Sequence, residues 1–180
     1  EKLAKEFKAD PDAEYCKVLK YDVTNLEPLA SCPDAPDNVK PVREVSGTAV
    51  DQIHIGSCSN GRFEDFQAAY EVLKAGGGKV SDKVRTIITP STSEVQLALV
   101  KSGIMQAFLE AGIVCTNPTC SLCTAEHYGA MPSGDVGCST TNRNFIGKVG
   151  KGSHTYLMSP MSAMATAVKG VITDPRDILG

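Results

Sequence analysis

At 180 residues the chain has the length of one domain, or of one domain with part of a second, and can bury a sizeable core. Its 18 lysines and arginines against 21 aspartates and glutamates leave a formal charge of −3, which gives no push toward nucleic acid or anionic lipid. A hydrophobic fraction of 42% excludes a disordered or collagen-like chain, and no apolar run approaches the roughly 18 residues of a membrane span.

The first ten residues (EKLAKEFKAD) are a charged amphipathic stretch rather than a signal peptide, and a start at Glu1 reads as a piece of something larger. Residues 26–44 carry prolines at 28, 33, 36 and 41. Proline removes backbone donors and fixes φ, so this stretch is expected to run extended along a surface. Residues 1–46 are therefore expected to be a tail and a connector from a preceding domain. A boundary near Gly47 leaves 47–180 as an α/β domain.

From there strands and helices alternate. Residues 50–55 (VDQIHI) predict a strand stopped by Gly56, and 62–75 predict a helix with Glu64 and Asp65 in its first turn, where carboxylates favour the positive end of the helix dipole. Gly76, Gly77 and Gly78 end it. Residues 84–89 predict a second strand. Ser91 and Glu94 match a capping box ahead of one long helix over 93–110, with Leu97, Val100, Ile104, Ala107 and Phe108 on a core-facing stripe. Short strands are expected at 112–116, 136–140 and 154–158. Ser159 and Pro160 then suit the N-cap and first position of a helix through Lys169, closed by Gly170. Such alternation indicates an α/β domain with a largely parallel, helix-covered sheet. Loops beyond the carboxyl ends of parallel strands converge on one crevice, and Cys58, the Cys120–Cys123 loop and Asn142–Arg143 each follow a predicted strand.

Seven cysteines are the outlier of the composition. An odd count without disulfide-style density argues for a reducing, cytoplasmic setting and a metal or redox role. Cys120 and Cys123 form a C-x-x-C pair 62 residues after Cys58. A closed zinc site needs four ligands, and His54, His127 and His154 show no paired ligand spacing. A thioredoxin-like pair opens a helix after a strand, which Asn117–Pro118–Thr119 does not suggest. Thiolates holding an iron–sulfur cluster are the third reading. Spacing alone leaves metal or cluster and redox pair or inert thiols open.

Residues 55–62 (IGSCSNGR), 117–123 (NPTCSLC) and 141–148 (TNRNFIGK), in that order, resemble the aconitase superfamily of hydro-lyases. The resemblance is closest to large subunits of the 3-isopropylmalate dehydratase and homoaconitase type, and it runs from about Tyr21 to the C-terminus. It implies an aconitase-like iron–sulfur domain with one 4Fe–4S cluster per subunit, held by Cys58, Cys120 and Cys123. The fourth iron would be free to act as a Lewis acid on a hydroxyl leaving group. Cys115 and Cys138 lie near enough to rival these ligands, although both also read as small buried hydrophobes of strands. Asn60 and Asn142 match asparagines beside the cluster that would donate to sulfur, or they simply cap loops. Arg143 matches an arginine that binds substrate carboxylate or supports the cluster loop.

Two departures stand out. Thr119 and Ser121 occupy places usually held by small flexible residues. Lys148 stands where a second carboxylate-gripping arginine is usual, which keeps the charge and loses the fork. The resemblance further implies dehydration and rehydration of a hydroxy di- or tricarboxylic acid (3-isopropylmalate, homocitrate/homoaconitate or a related alkylmalate), as in leucine and other amino-acid biosynthesis. It also implies a small-subunit swivelling domain and N-terminal domains as partners, without which this chain is inactive. None of the three histidines matches a family catalytic role, and His127 is the one nearest the cysteine loop. A cluster-sensing RNA-binding function is disfavoured by the acidic charge, and neither a nucleic-acid nor a membrane partner is expected. The alternative is a redox or zinc module using only Cys120 and Cys123, in which Cys58 is dispensable.

Overall fold

In the computed structural model, which describes residues 7–124 and 127–180, seven strands form one mixed sheet. The start of the amphipathic stretch lies outside the described residues. In chain order the strands are β1 (Leu29–Ser31), β2 (Val39–Pro41), β3 (Gln52–Gly56), β4 (Arg85–Thr89), β5 (Val114–Cys115), β6 (Val136–Ser139) and β7 (His154–Met158). Across the sheet they run β2-β1-β7-β6-β3-β4-β5. The five from β7 to β5 are parallel, while β1 is antiparallel to both β7 and β2. The helices are α1 (Val42–Val45), α2 (Phe63–Ala75), α3 (Ser93–Lys101), α4 (Ile104–Glu110), α5 (Pro160–Lys169) and α6 (Arg176–Leu179).

The strand order decides where a site can form. From β3 the chain moves outward through β4 to β5, then returns to the other flank of β3 to lay down β6 and β7. The loops after β3 and β6 therefore leave adjacent strands in opposite directions and open a crevice between them.

Alternation along β3 sorts its residues between two layers. Ile53 and Ile55 join Phe66, Leu73, Ile88, Phe108 and Met164 in the main core, where the Phe66 and Phe108 rings meet edge to face at 6.3 Å. Helices α2 and α5 pack on each other over this face. Gln52 and His54 point the other way, beneath loops in which Leu122, Met131 and Val149 form a small second cluster. The Gln52 amide donates to the Gly129 carbonyl at 2.5 Å and ties those loops to the sheet.

His54 is fully buried with Nε2 3.2 Å from the Thr89 hydroxyl and Nδ1 without a partner. Burial depresses its pKa to about 4. The unfolded chain thus takes up a proton near pH 6.5 that the folded chain refuses. Stability from this group is complete above that pH, falls as pH drops through the window and levels off below about 4. Between pH 7 and pH 4.5 the wild type should lose about 2.5 kcal/mol more than His54→Leu. Urea midpoints at the two pH values check this, and parallel losses would refute it.

The sequence anticipated β3, β4, β6, β7, α2 and α5 to within two residues at each end. Ser159 Oγ accepts from the Ser162 amide at 3.2 Å, and Gly170 closes α5 at φ 77°. Three details differ. The helix expected over 93–110 breaks at Ser102–Gly103, where Gly103 adopts φ 78° and starts α4 on a new axis. Ile104 and Phe108 are buried as expected, but Leu97 and Val100 on the first segment are exposed. The cap of α3 is Thr92, whose hydroxyl accepts from Val95 N–H, rather than Ser91. The proline-rich stretch is extended but also contributes β1 and β2, so the sheet continues across Gly47.

Past α5, the carboxylate of Asp174 is wholly buried and accepts from Arg176 and Arg43, and Arg176 reaches back to Glu27 at 3.1 Å. No helix among the described residues is long and apolar enough to cross a membrane.

Candidate functional site

A pocket of about 290 Å³ opens at the switch between β3 and β6, lined by Cys58, Cys123, Thr141, Asn142, Arg143 and Lys148. Each comes from a loop beyond a strand's carboxyl end, as the convergence rule requires. The β3 loop turns sharply at Ser57, whose φ of 68° is left-handed. Ser57 N–H is pinned to the Thr89 carbonyl at 2.7 Å, and Gly61 folds back so closely that a Cβ there would stand 2.1 Å from the Ser57 carbonyl oxygen. The cysteine loop ends in a short 3₁₀ turn, Ser121–Cys123, preceded by Cys120. Ser121 is buried with φ 44°.

The Ser57 side chain lies between the two loops. Its hydroxyl accepts from Cys58 N–H at 2.6 Å and stands 2.9 Å from Cys123 Sγ. Neighbouring hydroxyls of Ser57 and Ser59 hold the Cys58 thiol below its ordinary value, which favours the ligating thiolate. Burial pushes Cys123 upward, while Ser57 pulls it back. Burial raises Cys115 to about 11 and raises Cys138 as well, so both are held as thiols in their strands. Cys32 is buried outside the site and Cys16 is exposed in the tail.

Lys148 donates to the Cys123 carbonyl, with its ammonium 5.8 Å from the Phe145 ring centre. Arg143 is exposed on the pocket rim with no partner assigned to its guanidinium among the described residues. Asn142 lines the pocket. Asn60 donates its amide to the Thr140 carbonyl at 2.6 Å, which binds the β3 loop to the end of β6 in the manner of a loop cap. His127 meets the Thr119 hydroxyl at 3.0 Å, on the outer side of the cysteine loop.

Among the described residues, no three His, Cys, Asp or Glu side chains are gathered closely enough to hold a metal ion. The structure brings Cys58 and Cys123 to one pocket, whose lining does not include Cys120; Cys58 and Cys120 are both exposed. In kind the donors fit a thiolate-held group: soft sulfur ligands on two loops facing one crevice, with one thiol held below its ordinary value by neighbouring hydroxyls.

Two residues here escaped the sequence reading. Ser57 is one, because its role depends on a thiol 66 residues away. The other is Asn144, fully buried, whose amide donates to the Ser31 carbonyl and hydroxyl and, at 2.8 Å, to the Cys32 carbonyl. It fastens the Arg143 loop to β1. An asparagine between arginine and phenylalanine gives no sign of burial, and only the pairing of β1 with β7 creates its partners.

Residues 40–170 match the aconitase family (aconitate hydratase). The chain is 46% identical over 173 residues to the 3-isopropylmalate dehydratase large subunit of Geobacter sulfurreducens, covering 96% of this chain and 40% of that protein. It is 49% identical over 170 residues to a probable methanogen homoaconitase large subunit of Methanosarcina mazei, covering 94% and 42%. A 3-isopropylmalate dehydratase large subunit of Methanopyrus kandleri is 46% identical over 171 residues. The chain thus spans about two fifths of the length of these curated relatives. A family match across most of its length, carrying all the pocket residues, means that the chain belongs to the aconitase family.

Proposed function

We propose that the chain is the cluster-bearing part of a hydro-lyase large subunit, one that dehydrates and rehydrates a hydroxy di- or tricarboxylic acid of the isopropylmalate or homocitrate/homoaconitate class. The observation that carries this reading is the meeting of Cys58, Cys123 and Arg143 at one switch-point pocket. Cys58, Cys120 and Cys123 would hold a 4Fe–4S cluster. When bound, that group supplies a Lewis acid at its iron without a protein ligand, easing departure of hydroxide.

The chain's own residues do the rest of what this pocket can do. Arg143 offers a planar fork at the rim, suited to a substrate carboxylate. Lys148 adds positive charge to the same wall, although its ammonium also holds the Cys123 carbonyl, and a point charge orients a carboxylate less strictly than a second fork. Asn60 fixes the loop on which Cys58 rides, and Asn142 lines the pocket beside it. Among the described residues the pocket lining holds no carboxylate or imidazole to act as base for the carbon-bound proton, and His54 is fully buried in β3. That group belongs to the remaining three fifths of the subunit or to a small-subunit partner, which the large-subunit names of the relatives favour.

Anaerobic loading of the full-length subunit with iron and sulfide tests this. Iron counting should show a cluster, and EPR after mild oxidation should give a three-iron signal that ferrous iron reverses. Cys58→Ser should lose most of the bound iron, because Cys58 supplies the one ligand from the β3 loop. A module that used only Cys120 and Cys123 would keep its metal in that variant. Full retention would therefore sink the hydro-lyase reading.

A further inference from the structure

We propose that Ser57 is a positioning residue that sets the two ligand-bearing loops against each other before any metal arrives. The inference rests on the cluster reading above. Its geometry is specific. The Ser57 hydroxyl has one proton, and its oxygen already accepts from Cys58 N–H at 2.6 Å. Two sulfurs compete for that proton, and Cys123 Sγ at 2.9 Å is much nearer than Cys58 Sγ at 3.8 Å. A ligating thiolate can only accept, so Ser57 donates to it.

The backbone supports the same conclusion. Serine pays sterically for a left-handed φ of 68°, where glycine would sit freely. The turn is nevertheless over-determined, with Ser57 N–H on the Thr89 carbonyl and Gly61 folded against the Ser57 peptide. A strained, buried residue whose hydroxyl lies between two thiols marks a local cost that the hydroxyl's contacts offset. Cys58 and Cys123 are thereby locked to the same side chain, one through its amide and the other through its sulfur. Among the described residues no such contact holds Cys120, which is exposed as Cys58 also is.

Two variants separate positioning from mere structure. Ser57→Gly removes the hydroxyl and relieves the backbone; Ser57→Ala removes the hydroxyl and leaves the left-handed residue in place. In the full-length subunit, melting of the apo-protein should rank Ser57→Gly at or above wild type and Ser57→Ala below it. Iron loss from the anaerobically loaded protein to a chelator should be about tenfold faster than wild type in both variants alike. Retention that instead follows the melting order, with Ser57→Gly holding iron like wild type, overturns the proposal and leaves the cluster reading intact. A wild-type subunit that takes up no iron overturns the cluster reading and this inference with it.

Discussion

Gly56→Ala should lower the melting temperature by roughly 10 °C, an effect of about 4 kcal/mol for a domain of this size. Two costs combine. A Cβ at position 56 would lie 2.1 Å from the Thr89 carbonyl oxygen and 2.9 Å from Phe66 Cζ. The oxygen belongs to the backbone of β4, which is registered against β3 along its whole length and cannot give way without opening the sheet. The φ of 117° is also a conformation that an L side chain resists. Because Gly56 is the last residue of β3 and hands the chain to Ser57, the damage is delivered at the mouth of the pocket. Thermal melting of the variant checks this, and a shift under about 2 °C would show that β3 and β4 separate more easily than their pairing implies.

Asn144→Asp is close to isosteric and should cost about 3 kcal/mol at pH 7. The native amide gives its hydrogens to Ser31 and Cys32 in a site closed to solvent. A carboxylate there would place charge against two carbonyl oxygens in a fully buried site. Burial and those oxygens raise the folded-state pKa above the unfolded value near 3.9, so the charged form is penalised only in the fold. The sign follows directly. The charge-dependent part of the deficit is absent below about pH 4, grows as pH rises through the window between the two pKa values, and is constant above it. Stability measured at pH 4 and pH 7 against wild type should diverge accordingly, and a pH-independent deficit would mean that solvent reaches the site. Since Arg143 is the preceding residue, the same variant should, on the function proposed above, weaken carboxylate binding in the full-length subunit.

Elements with a strong local signal were legible in the sequence. The cap-proline-glycine punctuation of α5 is read correctly because each device acts within its own turn. The β3 strand is equally plain, its β-branched residues reflecting burial on both faces. Elements fixed by distant partners were not. β1 and β2 have three residues each, with Pro41 ending the second, and exist because β7 offers an edge more than a hundred residues later. The break between α3 and α4 is hidden for another reason. A helical apolar pattern continues through Gly103, and a lone glycine is tolerated in such a pattern. At the site, the cysteines, Arg143 and the two asparagines were visible as motifs, and Cys58, Cys123, Asn142 and Arg143 do meet at one pocket. Lys148 was visible only as a charge standing where an arginine is usual. That it grips the Cys123 carbonyl depends on how two loops meet in space.

The hairpin of β1 and β2 bears on how this unit can be handled. A truncation starting at Gly47, where composition suggests a seam, would strip β7 of its neighbour and leave a bare row of amides and carbonyls open to pairing with other molecules. The same cut would orphan the Asn144 amide and free Arg176 from Glu27. A piece meant to carry the pocket intact should therefore reach back to Glu27, since the loop bearing Arg143 is anchored by residues upstream of every motif.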